Sequence, residues 1–281
     1  MQKHLVLESP AKLNLMLHIT GQRDDGYHLL QTVFQLVGLN DTVEFSLRND
    51  NQILRTNQNR DIPADDDLMV RAAKLLQSRY KVEQGVDISI NKLIPMGGGL
   101  GGGSSNAATT LMAMNKLWEL NLTSTQLRKT GLELGADVPI FIFGQNAWAE
   151  GVGECLEPIK LPEKWFVIVH PQVFVSTPQI FSSKDLTRDC HPITIRAFLE
   201  GRGSNVCEPV ACKLHPEIGE AIQWLSRFSP ARMTGTGACV FAAFNSEAQA
   251  NDVKSRLPEQ WNGFVAPGLD KNPVAAELLP N

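Results

Sequence analysis

The sequence has no apolar run long enough to cross a membrane. Its first thirty residues carry Lys3, Glu8, Lys12, Arg23 and Asp24 and hold no signal-peptide core. It has no long basic block and a formal net charge of −4, so a nucleic-acid partner is not expected. A nucleotide as a small ligand stays open, because that needs only a local field. The five cysteines, Cys155, Cys190, Cys207, Cys212 and Cys239, are odd in number and scattered, which argues against a disulfide framework. Cys207 and Cys212 have no matching second pair, so a structural zinc site is not expected, and His191 beside Cys190 reads as chance. A soluble protein of a reducing compartment follows, most simply the cytoplasm, with no membrane partner. No internal repeat is visible. At 281 residues and 43% hydrophobic, the chain is comfortable as two domains with real cores.

What the sequence has is glycine, concentrated. Pro95 to Ala108 reads PMGGGLGGGSSNAA, and six of these fourteen residues are glycine. An alternating run, Val86 to Ile90, precedes it, and an apolar periodic run, Ala107 to Leu117, follows. Strand, glycine loop and helix are predicted in that order. Glycines let a backbone approach a ligand closely, and a helix start leaves N–H groups pointing outward with partial positive charge. Ser104, Ser105 or Asn106 can supply the N-cap. The combination is an anion site, and phosphate is the obvious anion. A flexible linker fits poorly between a strand pattern and a helix pattern. The loop lacks the closing lysine of a Walker A motif. It matches GxGxxG formally at Gly97, Gly99 and Gly102, but no second strand ending in an acid follows, so a third kind of nucleotide loop is implied.

Elsewhere, period-two alternation predicts a strand over Val6 to Thr20, split or pushed to an edge by Pro10. Leu29–Leu36 and Thr42–Leu47 read as two strands joined by a turn at Gly38–Asp41, and Asp50–Asp61 as loop or weak strands. Acids before Leu68 start a helix. Thr123 or Ser124 caps another over Leu127–Leu134, and Ile140–Phe143 reads as a strand. Leu156 to Glu163, with two prolines, is the best domain boundary, dividing the chain into 1–158 and 159–281. Trp165–His170, Val240–Phe244 and Gly263–Ala266 are strands. Cys207–Phe228 is mostly helical with breaks at Pro209 and Pro216, and Glu247–Leu257 is helical. Lys184–Asn205 is left as loop. Strands and helices without a steady βαβ repeat argue α+β layers.

Phosphoryl transfer needs a phosphate cradle, positive charge and a group to orient or deprotonate the acceptor. Asp137, in a short Gly-Ala-Asp-Val-Pro turn, is a candidate base or a locally satisfied turn aspartate. Lys12 enters an apolar strand and is either paired with an acid or snorkelling at the surface. Thr234-Gly235-Thr236-Gly237 is a second small-residue turn before a strand, able to bring N–H groups to a phosphate or simply to turn. Tyr27, His28 and Phe181 can grip a base or sit in a core. The five tryptophans look structural.

Five phrases together carry a resemblance: SPAKLNLML at Ser9, DGYH at Asp25, the glycine run from Pro95, LGADVP at Leu134 and TGTGACVF at Thr234. The chain resembles the GHMP kinase superfamily over its full length. The resemblance implies a two-domain α/β sandwich with the active site in the interdomain cleft, and an ATP-dependent phosphotransferase acting on an alcohol with Mg2+. By it, Asp137 would be the general base and Lys12 its charged partner. Lys92, Pro95, Met96, Gly97, Gly98, Gly99, Leu100, Gly101, Gly102, Gly103, Ser104 and Ser105 would line the ATP site, with the Asp65–Leu68 region near the adenine. Asn14, Tyr27, His28, Thr177, Pro178 and Phe181 would hold a cytidine diphosphate-linked alcohol, with Thr234 and Gly235 closing the phosphate side. Homoserine, mevalonate or a sugar as acceptor, and nucleotide binding without catalysis, are the alternatives. Related kinases often carry Asp-Asn-Leu where this chain has Asp66-Asp67-Leu68, and a carboxylate cannot donate the amide hydrogen bonds of asparagine. Serines are present but no acid can be placed beside them, so no metal ligand is named. A monomer or a homodimer is expected.

Overall fold

The computed structural model describes residues 3–24, 26–57, 63 and 66–279; Asp25, Asp61 and Asp65, all named above, lie outside the described residues. In chain order the first half holds β1 (His4–Gln22), β2 (His28–Leu47), β3 (Ile53–Arg55), α1 (Leu68–Tyr80), β4 (Val86–Asn91), α2 (Gly102–Leu117), α3 (Ser124–Leu132), α4 (Val138–Phe143), β5 (Ala147–Glu150) and β6 (Cys155–Pro158). The second half holds β7 (Trp165–His170), α5 (Thr177–Ser182), α6 (Ile195–Leu199), α7 (Glu208–Leu214), α8 (Pro216–Leu225), β8 (Ala231–Met233), β9 (Val240–Phe244), α9 (Glu247–Ser255), β10 (Asn262–Leu269) and α10 (Pro273–Leu278). Among the described residues no helix is long and apolar enough to cross a membrane. All five cysteines are free.

The spine is β2. One edge pairs antiparallel with β1 along almost its whole length. The other edge receives three strands in turn: β5 at Thr32–Phe34, β10 at Leu36–Val37, and β4 at Thr42–Leu47. Two expected breaks are absent. Pro10 does not split β1, because the register shifts there by a bulge and the strand runs on. Residues 38–41 are not a turn but part of β2. Gly38 sits where β10 crosses, and a Cβ there would lie 3.0 Å from Pro267 Cγ. Glycine at this position serves a close approach, not a reversal.

β10 joins the two halves. It pairs with β7 from Asn262 to Pro267 and then with β2 at Gly268 and Leu269. The whole forms one mixed sheet in the order β3-β4-β2-β10-β7-β9-β8. α1, α2, α4 and α10 share a core with Phe34, Val43, Phe45, Val86 and Ile88 of the first-half strands. α7, α8 and α9 share a second core with Val167, Val169, Val240 and Ala242. Leu17 and Ile19, at the far end of β1, belong to that second core. Between them lies a third cluster, where Leu13, Ile94 and Leu100 meet Ile168 and Phe241. This is an α+β architecture of two halves, each with its own core, joined through β10.

Three local elements differ from expectation. Ile140–Phe143 is helical: Pro139 occupies the first turn of α4 and Gly144, at φ +74°, closes it. A four-residue apolar run carries no period that separates strand from helix. α2 begins at Gly102, not at the serines, and its N-cap Gly101 supplies no side-chain bond. Pro209 opens α7 rather than breaking a helix, while the break at Pro216 is real. The chain also ends in a helix that the pattern did not show. Val274, Ala275 and Leu278 of α10 bury in the first-half core, so the chain returns to that half after β10. Leu278→Ala is therefore expected to cost about 2–4 kcal/mol in urea unfolding, whereas a loss below about 0.5 kcal/mol would mean that α10 is peripheral.

Candidate active site

Three cavities run together along the junction of the halves. The first, about 400 Å³, is lined by Lys92, Pro95, Met96, Gly97, Gly98, Leu100, Gly101, Gly102, Gly103 and Ser104, with Asp66, Asp67 and Leu68 opposite. In α2, Ser105 N is the first amide to find a helical carbonyl, Gly101 O at 2.8 Å. The amides of Gly102, Gly103 and Ser104 precede it, without a side-chain cap, at the positive end of a sixteen-residue helix. That is an anion cradle. The loop before it is held from below. Lys12 N donates to Leu100 O at 3.0 Å, Ala238 N to Gly97 O at 3.2 Å and Cys239 N to Gly98 O at 3.1 Å. Gly99 has φ +72°, and a Cβ there would stand 2.3 Å from Thr234 O, so only glycine fits.

Lys92 is anchored by a residue the sequence reading missed. Asp41 is fully buried, and its carboxylate accepts from Lys92 Nζ at 2.5 Å, Asn106 Nδ2 at 3.0 Å, and Leu93 N and Ile94 N at 2.8 Å each. One side chain thus fixes the end of β4, the approach to the loop and the flank of α2. Asp67 caps α1 through Met69 N at 2.8 Å and pairs with Arg55 Nη1 at 2.8 Å. Both of its oxygens have protein partners, which is how this chain accommodates a carboxylate at that position.

The second cavity, about 350 Å³, shares Gly101 and Ser104 with the first and is lined by Lys12, Asn14, Thr32, Gly99, Asp137, Thr177, Gly235 and Thr236. Lys12 Nζ has three protons and meets three acceptors: Asn14 Oδ1 at 2.6 Å, Gly99 O at 2.9 Å and Asp137 Oδ2 at 3.2 Å. The lysine side chain is 3% exposed, and Asp137 is 37% exposed, so the ammonium is sealed while the carboxylate faces the cavity. Phe34 closes the underside, its ring centroid 5.7 Å from Nζ. Asn14 is oriented in turn by Thr32 Oγ1, which accepts from Nδ2 at 2.9 Å. Asn205, also missed in the sequence, holds the Thr234–Gly237 turn by donating to Met233 O at 2.9 Å and Gly235 O at 2.8 Å.

The third cavity, about 550 Å³, shares Leu30, Ala136, Val152 and Phe181 with the second, and adds Tyr27, His28 and Pro178. The rings of His28 and Phe181 stack with centroids 5.0 Å apart. Arg188, from the stretch read as loop, donates to His28 Nε2 at 3.2 Å, Phe181 O at 2.7 Å and Ser183 O at 2.8 Å. Burial, and then the Arg188 charge, push the His28 pKa below the ordinary histidine range.

The structure does not bring every candidate to these cavities. Ser105 is fully buried and bonds Ser9 Oγ at 2.8 Å, fastening α2 to β1. Thr234 is fully buried too, its hydroxyl accepting from Asn14 N at 2.9 Å and reaching Gly99 O at 3.4 Å. Both act behind the site. Gly99 lines the second cavity rather than the first. Cys239, beneath Gly98, is buried, which pushes its thiol far above the usual cysteine range and leaves it no nucleophile.

A glycine loop on a helix start, beside a lysine–aspartate pair, is the constellation of a phosphoryl-transfer fold. The model for the GHMP kinases N terminal domain matches residues 67–145, and that for GHMP kinases C terminal matches residues 192–263. The chain belongs to the GHMP kinase family, a nucleotide-binding fold. It is 55% identical over 266 residues to the 4-diphosphocytidyl-2-C-methyl-D-erythritol kinase of Nitrosococcus oceani, covering 95% of each chain. With the kinase of the same name from Herminiimonas arsenicoxydans it shares 53% over 273 residues, 95% of this chain and 96% of that one. A crystal structure of 4-(cytidine 5'-diphospho)-2C-methyl-D-erythritol kinase superposes with a TM-score of 0.80 at 29% identity, over 94% of this chain and 99% of that one. Homoserine kinase from Cytophaga hutchinsonii, at 16% identity and a TM-score of 0.71 over 97% and 96% of the two chains, shares the fold.

Nucleotide binding should raise the melting temperature of the wild type by mass action. Gly99→Ala is expected to abolish that rise, because the added methyl must displace either the loop or the Thr234 carbonyl. A wild-type rise retained in the variant would show that the loop is not the cradle.

Proposed function

We propose that the chain is an ATP-dependent kinase that phosphorylates the 2-hydroxyl of 4-diphosphocytidyl-2-C-methyl-D-erythritol, a step of non-mevalonate isoprenoid precursor synthesis. Identity of more than half the residues with relatives of that name, over 95% of the chain, supports the substrate. The observation that carries the chemistry is the Lys12–Asp137 pair, set where the glycine-loop cavity meets the aromatic one. Residues 1–158, with the returning α10, form the nucleotide side, and the rest forms the acceptor side. The cavities are lined by one chain, so a monomer or a homodimer serves equally, in the cytoplasm.

The residues fit ATP. The free amides at the start of α2 face a cavity whose glycine wall is packed too tightly from behind for side chains: a Cβ at Gly98 would stand 2.7 Å from Cys239 Sγ, and one at Gly102 3.0 Å from Lys92 Nζ. Among the described residues, no group of three or more His, Cys, Asp or Glu could hold a metal ion. Mg2+ brought with the nucleotide would neutralise phosphate charge beside the glycine loop and Ser104.

Tyr27, His28 and Phe181 hold the acceptor's cytidine part in the aromatic cavity, which adjoins the one where Asp137 meets the 2-hydroxyl. Asp137 removes the hydroxyl proton as the oxygen bonds to the γ-phosphorus and the bond to the ADP oxygen breaks. Lys12 keeps Asp137 aimed at the cavity and offsets the charge developing there. Because Gly99 O shares the same ammonium, base and phosphate loop are held in one frame. Much of the rate comes from that positioning.

Asp137→Asn is expected to lower kcat about 10²–10⁴-fold with acceptor binding retained. Turnover by the wild type of mevalonate or homoserine in preference to the cytidyl substrate would sink the assignment. A second prediction concerns pH. Acceptor affinity should stay level from pH 8 down through about 6.5, because His28, with its lowered pKa, remains neutral there. It should decline only at lower pH. In Arg188→Ala the decline should begin at higher pH, and KM for the acceptor should rise more than kcat falls. Identical profiles for the two proteins would remove Arg188 from the account.

A further inference from the structure

The second-half sheet is covered unevenly. Along β9, Val240, Ala242 and Phe244 turn to the helices, whereas Phe241 and Ala243 turn away. That second face is covered only in part, by the third cluster, in which Phe166 and Phe241 are buried with Leu13 and Leu100. Here Phe166 and Phe241 meet edge to face at 6.1 Å and floor a cavity of about 420 Å³. That volume lies within the roughly 300–1,000 Å³ usual for small-molecule sites. Phe198 and Leu199 of α6 overhang it, and Leu199 is 56% exposed. It shares no lining residue with the three cavities of the active site.

The charge around this cavity has one sign. Lys164, Arg202 and Arg232 line it, and no aspartate or glutamate does, in a chain whose net charge is −4. Arg202 makes no side-chain hydrogen bond or ion pair among the described residues. Lys164 donates to the neutral Asn245 Oδ1. Glu208 feels the Arg232 charge, but its carboxylate accepts from Met233 N and does not line the cavity. An aromatic floor with a cationic rim fits a ligand with an apolar chain and an anionic head.

The cavity also touches the catalytic strand from behind. β1 pairs Asn14 with Phe34 and Met16 with Val33, which leaves Leu15 as the extra residue of a bulge. Arg232 Nη1 donates to Leu15 O at 2.8 Å. Two residues on, Thr234 Oγ1 accepts from Asn14 N, and Asn14 Oδ1 accepts from Lys12 Nζ. An anion drawn to Arg232 binds the same guanidinium that holds the Leu15 carbonyl, one residue from Asn14, and a shift of that guanidinium moves the bulge.

We propose that this cavity binds a single-chain amphiphile with a phosphate or carboxylate head, and that its occupation is transmitted to Asn14 through the Leu15 bulge. The test titrates the full chain with decyl phosphate and decanoate below their micelle concentrations, with decanol and inorganic phosphate alongside, followed by calorimetry and by amide NMR shifts. Arg202→Glu and Leu199→Asp alter exposed positions outside the active site. Saturable binding of an anionic amphiphile to the wild type, at least tenfold weaker in both variants and not displaced by saturating ATP, is the expected result. The tighter of the two heads assigns the ligand as phosphate or carboxylate. Decanol binding as tightly as the anions, variants binding like the wild type, displacement by ATP, or self-association through this face in sedimentation would each overturn the site. Unmoved amides at Asn14 and Leu15 in the saturated protein would overturn the coupling. None of these readouts uses turnover, so they stand apart from the kinase reading.

Discussion

Everything at the site depends on where one buried ammonium puts its three protons. Lys12 lies on β1, and its partners come from three places: Asn14 from the same strand, Gly99 from the phosphate loop, and Asp137 from the start of α4. Desolvating a lysine is costly unless its donors are met. Meeting them fixes the mutual positions of segments that are 87 residues apart for Lys12 and Gly99. The same ammonium that sets the carboxylate also sets the loop. A displacement of either segment leaves a buried charge partly unsatisfied, so geometry that serves chemistry is also geometry that the fold defends.

Asp41 repeats this logic on the nucleotide side. A carboxylate with no exposure is tolerable because four donors converge on it. Asn205 does likewise for the Thr234–Gly237 turn. The loops around the cleft, which look irregular along the chain, are each tied by one buried polar residue to a strand or helix.

How much of this was legible in the sequence depended on distance along the chain. The glycine loop could be read because strand, loop and helix are contiguous and their physics is local. The helix over Leu68–Tyr80 and the cap at Thr123 were readable for the same reason. Lys12 and Asp137 were each ambiguous alone, since nothing local says that they meet. The candidates that lie behind the cavities, Ser105 and Thr234, are small and polar. Ser104 and Ser105 are neighbours on α2, yet a rotation of about 100° per residue sends one to the cavities and the other to Ser9. Gly38 and Pro10 read as punctuation because those residue types usually break strands, whereas here one admits β10 and the other sits at a bulge. Asp41, Arg188 and Asn205 carried no motif; their roles exist only in the folded neighbourhood.

The handover of β10 from β7 to β2 bears on how this molecule can breathe. In many two-domain enzymes a linker acts as a hinge and the lobes swing. Here the lobes share a hydrogen-bonded ladder: Gly268 and Leu269 are zipped to Val37 and Leu36 immediately after the pairing with β7 ends. A swing about this point would tear backbone bonds in the middle of a sheet and expose Gly38 and Pro267, which are packed against each other. At the rim of the cleft Tyr27 and Phe174 stand out, 62% and 73% exposed, with Phe174 lying over Gly97. The two halves are sewn along one shared strand rather than hung on a hinge.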